Sequence, residues 1–345
     1  MNKIDFVVCP GPMQHERTRK HYIDHMAPVW DALPVEARGE FMVCNHEMAE
    51  HARMLGIQAL IFRNGAAMQN ALKVEKRLTL VAGHGDPKWL DLTGRPNVIL
   101  MHGVGFNFDV RKTLACYPGT KQNRRNTRLI LSTNEKIAQV ERDANPHVRV
   151  EVIGCPKLDQ WHRLPPKLKS KPASVAFAFH WDCKIAPEAG NAWDHYKDVL
   201  HRVAEQFRVL GHGHPHIIDR LAPLYEAMGV EVVWNLDEVF KRADLMCFDA
   251  TSAGYEFASL DRPVVVLNAP WYRRDIHLGL RFWEHANVGV QVDEPQDLIA
   301  GINSALADWP DQRQLRHEAV SASYSFTDGK CAERAAAVIL DILRS

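Results

Sequence analysis

The chain reads as an α/β protein built from two doubly wound, parallel-sheet domains. Three observations carry that reading. Its 345 residues exceed the roughly 150 of one ordinary domain. Short apolar runs of strand length alternate with helical-length stretches almost throughout, and a proline- and lysine-rich interruption divides the series in two. Alternation of this kind gives a mainly parallel sheet covered by helices on both faces.

In the first half the strand-like runs are Ile4 to Val8, Phe41 to Cys44, Ala59 to Phe62, Leu78 to Ala82, Val98 to Met101, Leu129 to Leu131 and Val148 to Ile153. The interruption follows, Arg163-Leu-Pro-Pro-Lys-Leu-Lys-Ser-Lys-Pro172, where the prolines preclude a helix or a central strand. It predicts an interdomain linker over 163–172, between a domain at 1–162 and a second at 173–345. The rhythm restarts with Val175 to Phe179, Phe207 to Leu210, Val230 to Val233, Leu245 to Phe248, Val264 to Leu267 and Val288 to Val292. Lys330 to Leu343 is rich in helix formers and predicts a closing helix, which could pack back on the first domain. Two such sheets facing each other leave a cleft at the carboxyl ends of their strands, where ligands bind.

Composition bounds the function. Apolar residues at 46% and charged ones at 24% suit a folded globular protein. Lys plus Arg equal Asp plus Glu at 42 each, so the total carries no basic nucleic-acid footprint. Clusters at Arg17 to Lys20 and Lys121 to Arg128 keep a nucleic-acid substrate open. The seven cysteines are scattered without a Cys-x-x-Cys pair, which predicts reduced, mostly buried thiols. The first apolar run is too short for a signal peptide or a membrane span, so a cytoplasmic location without stable membrane insertion is expected.

The chemistry-bearing residues fall just after strands. His102 in Met101-His102-Gly103-Val104-Gly105 follows the fifth run, and an imidazole there could serve as general base near neutral pH. His84 sits in a similar setting. His212, His214 and His216 alternate after another strand, which invites a metal ion, but Pro215 opens an expected helix and breaks the convergence. No metal and no cofactor are expected, and a histidine donating to phosphate fits better. Asp249-Ala250-Thr251-Ser252 leads into a helix. Thr251 and Ser252 at its start could donate to phosphate, with an ordinary N-cap as the competing reading. Glu256, one turn in, is expected to face ribose hydroxyls. Asp328-Gly329-Lys330 is either plain turn chemistry or a second phosphate nest. Arg273 and Arg274 could grip an anionic acceptor, or sit solvated beside Asp275. His15, Arg17 and Arg19 are expected on the acceptor side.

In order, these pieces resemble the CDP-glycerol glycerophosphotransferases, the teichoic-acid polymerase family of the two-domain GT-B superfamily. The matching residues are His102-Gly103, then Gly154-Cys155-Pro156-Lys157-Leu158-Asp159, His214-Pro215, Asp249-Ala250-Thr251-Ser252 with Asp261-Arg262-Pro263, and Asp328-Gly329-Lys330 through Arg334. Ala250 stands where the family has Tyr, and Thr251 where it has Ser. The resemblance implies transfer of glycerol phosphate from CDP-glycerol to an acceptor hydroxyl with release of CMP. It implies His102 as the base, His214 beside the donor pyrophosphate, Thr251 and Ser252 on phosphate, and Lys330 and Arg334 as closing donors. Lys157 and Asp159 belong to the acceptor side or cleft. The same parts serve a UDP-sugar-dependent glycosyltransferase, including one acting on a hydroxylated nucleic-acid base. A UDP-sugar 2-epimerase shares the architecture, and a nucleotide-binding protein without activity is the non-enzymatic alternative.

Overall fold

The structure, a computed structural model, describes residues 2–9, 19–83, 85–102, 104, 124–182, 190–272 and 287–344. The chain divides into two compact units, Met1–Arg163 with Tyr324–Ser345, and Leu164–Ser323. The closing segment, which the sequence places in the second domain or back on the first, is part of the first unit.

Among the described residues the first unit holds a parallel sheet of seven strands: β1 (Ile4–Val7), β2 (Arg38–Val43), β3 (Ala59–Ile61), β4 (Leu78–Val81), β5 (Asn97–Leu100), β6 (Thr127–Ser132) and β7 (Arg149–Val152), in the order β3-β2-β1-β4-β5-β6-β7. Successive side chains on a strand point to opposite faces, so each apolar run feeds two cores. Phe6, Phe41, Leu80, Leu100 and Leu131 pack with Ile23, Met26 and Val29 of the first helix (Lys20–Ala32) on one face. Val7, Met42, Val81, Ile99 and Ile130 pack with Met68, Leu72, Leu90 and Ile137 on the other. Burial on both sides is why these strands read as unbroken apolar runs. Asparagines start the helices that follow β2, β3 and β6. The side chains of Asn45, Asn64 and Asn134 accept from the N–H groups of Met48, Ala67 and Ile137 at 2.8, 2.9 and 2.9 Å, satisfying donors that a helix start leaves open.

The last helix (Cys331–Arg344) completes the first of those cores with Ala335, Ala336, Ile339 and Leu343. Its entry is held from far along the chain, because both Asp159 carboxylate oxygens accept from its first N–H groups, those of Cys331 at 2.9 Å and Ala332 at 2.7 Å. Gly154 makes the approach possible. It has φ +84°, and a Cβ there would lie 2.5 Å from Cys331 Sγ. Only glycine tolerates both conditions.

Segment 164–173 holds no helix or strand. Lys167 pairs with Asp244, whose carboxylate also accepts from Ser174 N at 2.9 Å. Among the described residues the second unit holds a parallel sheet of six strands: β8 (Ser174–Phe179), β9 (Arg208–Gly213), β10 (Glu231–Val232), β11 (Leu245–Phe248), β12 (Val264–Leu267) and β13 (Val290–Val292), in the order β10-β9-β8-β11-β12-β13. Its core includes Phe177, Phe179, Cys247, Val265 and Leu267 packed with Trp193, Tyr196, Leu221 and Tyr225. In each unit the strand order reverses at one place, between β1 and β4 and between β8 and β11. In folds of this class the connections leave to opposite faces at such a point, which is where ligands bind.

Candidate active site

In the second unit the residues past β8, β9 and β11 gather at the reversal point. His214 follows β9, and its N–H donates to Phe179 O at 2.8 Å. Its Nδ1 accepts from His216 N at 3.1 Å. A ring nitrogen that accepts carries no proton, so neutral His214 holds its proton on Nε2, the tautomer that can donate to a phosphate oxygen. The rings of His180, Trp181 and His216 lie 5.6, 6.0 and 4.8 Å from that of His214. His212, the neighbour that suggested a metal triad, is buried, and its Nδ1 lies 2.8 Å from Val233 O. That bond turns it to a different task from His214. Among the described residues no group of His, Cys, Asp and Glu is placed to hold a metal ion.

Asp249 closes this corner. It is 4% exposed, and its two carboxylate oxygens accept from the N–H groups of His180 and Ala192, both at 2.9 Å. Burial pushes its carboxyl up to about 7, against the pull of the backbone N–H groups that favour the charged form. Next come Thr251, buried, and Ser252, half-buried, at the start of helix Ala253–Ala258. Ser252 makes no capping bond through its side chain, and Thr251 Oγ1 accepts from Ala253 N at a long 3.4 Å. The ordinary N-cap reading therefore does not account for Ser252. Gly254 lets the helix start sit on Phe248, whose ring a Cβ would meet at 2.3 Å. Glu256 is 4% exposed and sunk into the helix start.

In the first unit His102 stands two residues past β5 and is half-buried. Three side chains of the first helix surround its ring: Tyr22 edge-on at 5.0 Å, His25 at 5.5 Å and His21 at 6.0 Å. Arg19, just before that helix, donates to Cys9 O at 2.6 Å and to Asp86 at 2.8 Å, and Asp86 accepts from Gly83 N at 2.9 Å. These bonds lock together the ends of β1 and β4. Lys157, in the turn Pro156–Leu158, is 9% exposed. His25 is buried, which pushes its imidazole well below the usual range, with the charges of Lys157, His102 and His21 acting in the same direction.

The remaining expected residues are placed as follows. Asp159 is committed to the start of the last helix. Gly329 is buried and its carbonyl accepts from Arg163 Nε at 2.8 Å. Lys330 is exposed. Arg334 donates to Asp328 at 2.8 Å and stacks on Phe326 at 3.9 Å. The closing motif thus lies in the first unit, whereas His214, Thr251, Ser252 and Glu256 lie in the second. Gly103, Arg273, Arg274, His15, Arg17 and His84 lie outside the described residues. His21, Tyr22, His25, His180, Trp181 and Asp249 escaped the sequence reading as site residues. The one signal available was the four-residue spacing of His21 and His25, which puts both on one helix face.

Residues 192–341 match the family model described as CDP-Glycerol:Poly(glycerophosphate) glycerophosphotransferase. The resemblance to that family holds. The matched stretch carries His214, Thr251, Ser252, Glu256, Gly329, Lys330 and Arg334, while His102 and Gly154 to Asp159 precede it. No sequence among curated proteins matches the chain. Among solved structures, it is similar to S. aureus MnaA with UDP at TM-score 0.68 and 16% identity, covering 100% of this chain and 97% of that one. The wall teichoic acid polymerase TagF gives TM-score 0.65 and 16% identity, with 99% and 89% covered. UDP-GlcNAc 2-epimerase from Neisseria meningitidis, bound to UDP-GlcNAc, gives 0.63 and 12%, with both chains covered in full at 100%. The fold class is GT-B. The match to that family model supports an enzyme that transfers a group from a nucleotide-activated donor. Among the described residues no helix is long and apolar enough to cross a membrane.

Proposed function

We propose that the chain transfers glycerol phosphate, or a closely related alditol phosphate, from a CDP-linked donor to an acceptor hydroxyl. The observation that carries this reading is the corner past β9 and β11, where His214 with its proton on Nε2 and the Ser252 hydroxyl stand at the sheet's reversal point inside the stretch that matches the family. These groups suit a diphosphate, since donors fixed before reaction stabilise charge that develops on phosphoryl oxygens. Arg273 and Arg274 are proposed to assist with anionic substrate, and Lys330 and Arg334 to assist at the donor.

In the proposed reaction the acceptor hydroxyl gives its proton to the His102 imidazole. Its oxygen forms the new bond to the phosphorus that carries glycerol. The bond from that phosphorus to the bridging oxygen breaks, and CMP leaves with the electron pair. Transfer at phosphorus needs no covalent enzyme intermediate, so positioning and charge stabilisation supply the rate.

Calorimetric titration with CDP-glycerol, CDP-ribitol and UDP-sugars tests the donor. Binding of a cytidine donor, weakened about tenfold or more in His214→Ala, is the expected result. Silence toward both cytidine donors together with binding of a UDP-sugar would overturn it in favour of a glycosyltransferase or an epimerase. His102→Ala is expected to lower turnover by about 10²–10⁴-fold with donor affinity unchanged.

A further inference from the structure

Two residues of the second unit have no part in the reaction proposed above, buried His212 and exposed Trp234. A carbonyl can only accept, so the His212 Nδ1–H donates to Val233 O, at 2.8 Å. Val233 N in turn donates to Gly211 O at 2.8 Å, and the residue just past β10 is thereby bound to β9 through both its N–H and its carbonyl. The next residue is Trp234, 59% exposed. Asn235 follows, its side chain accepting from Asp237 N at 2.9 Å at the start of helix Leu236–Arg242. The backbone that carries the indole is therefore held on both sides while the ring stands in solvent. A lone exposed aromatic ring is ordinary on a protein surface, but this one leaves the sheet beside His214. Its strand pairs with β9, Glu231 with Leu210 and Val232 with Gly211, and paired strands lie about 5 Å apart.

We propose that Trp234 is the stacking surface for the base of the donor nucleotide, and that His212 is a positioning residue that acts through it. The inference rests on the reading of His214 and Ser252 as donors to a diphosphate. A base is joined to its diphosphate through one ribose, so it must lie against a surface next to the one that grips the phosphates. Two other tryptophans that follow strands are already packed against rings. Trp181, past β8, has those of His180, His214 and His216 at 5.9, 6.0 and 4.9 Å. Trp271, past β12, has those of His195 and Tyr272 at 6.1 Å each. Among the described residues no ring lies against Trp234. A pyrimidine presents a flat π-face whatever its hydrogen-bonding edge, so the stack accepts cytosine or uracil. Fixing the backbone beforehand lowers the ordering cost of binding, and that is the use this fold makes of His212 beside His214.

The test is calorimetric titration of the full chain with CDP, UDP and inorganic pyrophosphate, which has no base. Trp234→Ala is expected to weaken CDP about tenfold, the scale of one lost base–aromatic stack, and to leave pyrophosphate unchanged. Trp234→Phe, which keeps a ring, retains most of the affinity. His212→Leu is expected to weaken CDP in the same direction with pyrophosphate again unchanged, and His212→Asn, whose amide N–H can donate to the Val233 carbonyl, to recover part of the loss. Because Trp234 lies on the surface, its variants keep the test alive if a buried His212 variant fails to fold. Quenching of tryptophan emission by CDP, present in the unmodified chain and largely lost in Trp234→Phe, is the second expected reading. CDP affinity untouched in Trp234→Ala, or a loss shared equally by pyrophosphate, overturns the inference alone. UDP bound in place of CDP and weakened by the same substitution overturns the cytidine donor and upholds the stack. Binding of neither nucleotide overturns both.

Discussion

Asp249 shows how one side chain links position to acidity. Its two oxygens tie His180 and Ala192 to the end of β11, and its carboxyl, at about 7, stands well above the roughly 3.9 of an unfolded chain. The folded state thus retains a proton that the unfolded state has released. Its contribution to stability is complete below about pH 4 and declines as pH rises through about 7. Urea unfolding at a series of pH values is expected to show that decline in the unmodified chain and a flatter profile over the same interval in Asp249→Asn. An equal slope in both would show that the group does not titrate as its burial requires. The sequence marks Asp249 as the opening residue of the motif Asp249 to Ser252, but nothing in the string Asp-Ala-Thr-Ser reveals that His180, sixty-nine residues earlier, ends beside it.

The elements themselves were legible. Every apolar run named from the sequence is a strand, and Leu245–Phe248 and Val264–Leu267 match residue for residue. Parallel strands buried on both faces leave an uninterrupted apolar signature, which survives without tertiary information. The partners of each element were not legible. The last helix was recognised from its helix formers, yet its cap comes from Asp159, at a separation no local pattern reaches. Asp159→Ala leaves two buried N–H groups without that acceptor. It is expected to cost about 1–3 kcal/mol, read as a lower midpoint in thermal unfolding followed by circular dichroism, while Asp328→Ala, at an exposed pair, is expected to change stability by less than about 1 kcal/mol. The site divides along the same line. His102, His214, Thr251 and Ser252 announced themselves by lying just past strands, whereas His21, Tyr22 and His25 sit inside a helix whose apolar face hides their convergence on His102.

At the scale of the molecule, the chain order and the spatial order differ. Residues 324–345 belong with 1–163, and 164–323 form a unit of their own. Ile339, fully buried among Ile23, Met26 and Phe6 in the first core, makes the point testable. Ile339→Ala is expected to destabilise by about 2–5 kcal/mol, and hydrogen exchange should register the loss in β1, β2 and β4 while β8, β9 and β11 keep their protection. Equal loss in both sheets would contradict the division. The arrangement also governs birth of the protein on the ribosome, where structure forms from the amino terminus as chain emerges. The middle unit has everything it needs once residue 323 is out. The unit whose strands emerge before it must wait, with one flank of its sheet uncovered, until the helix Cys331–Arg344 arrives to seal it.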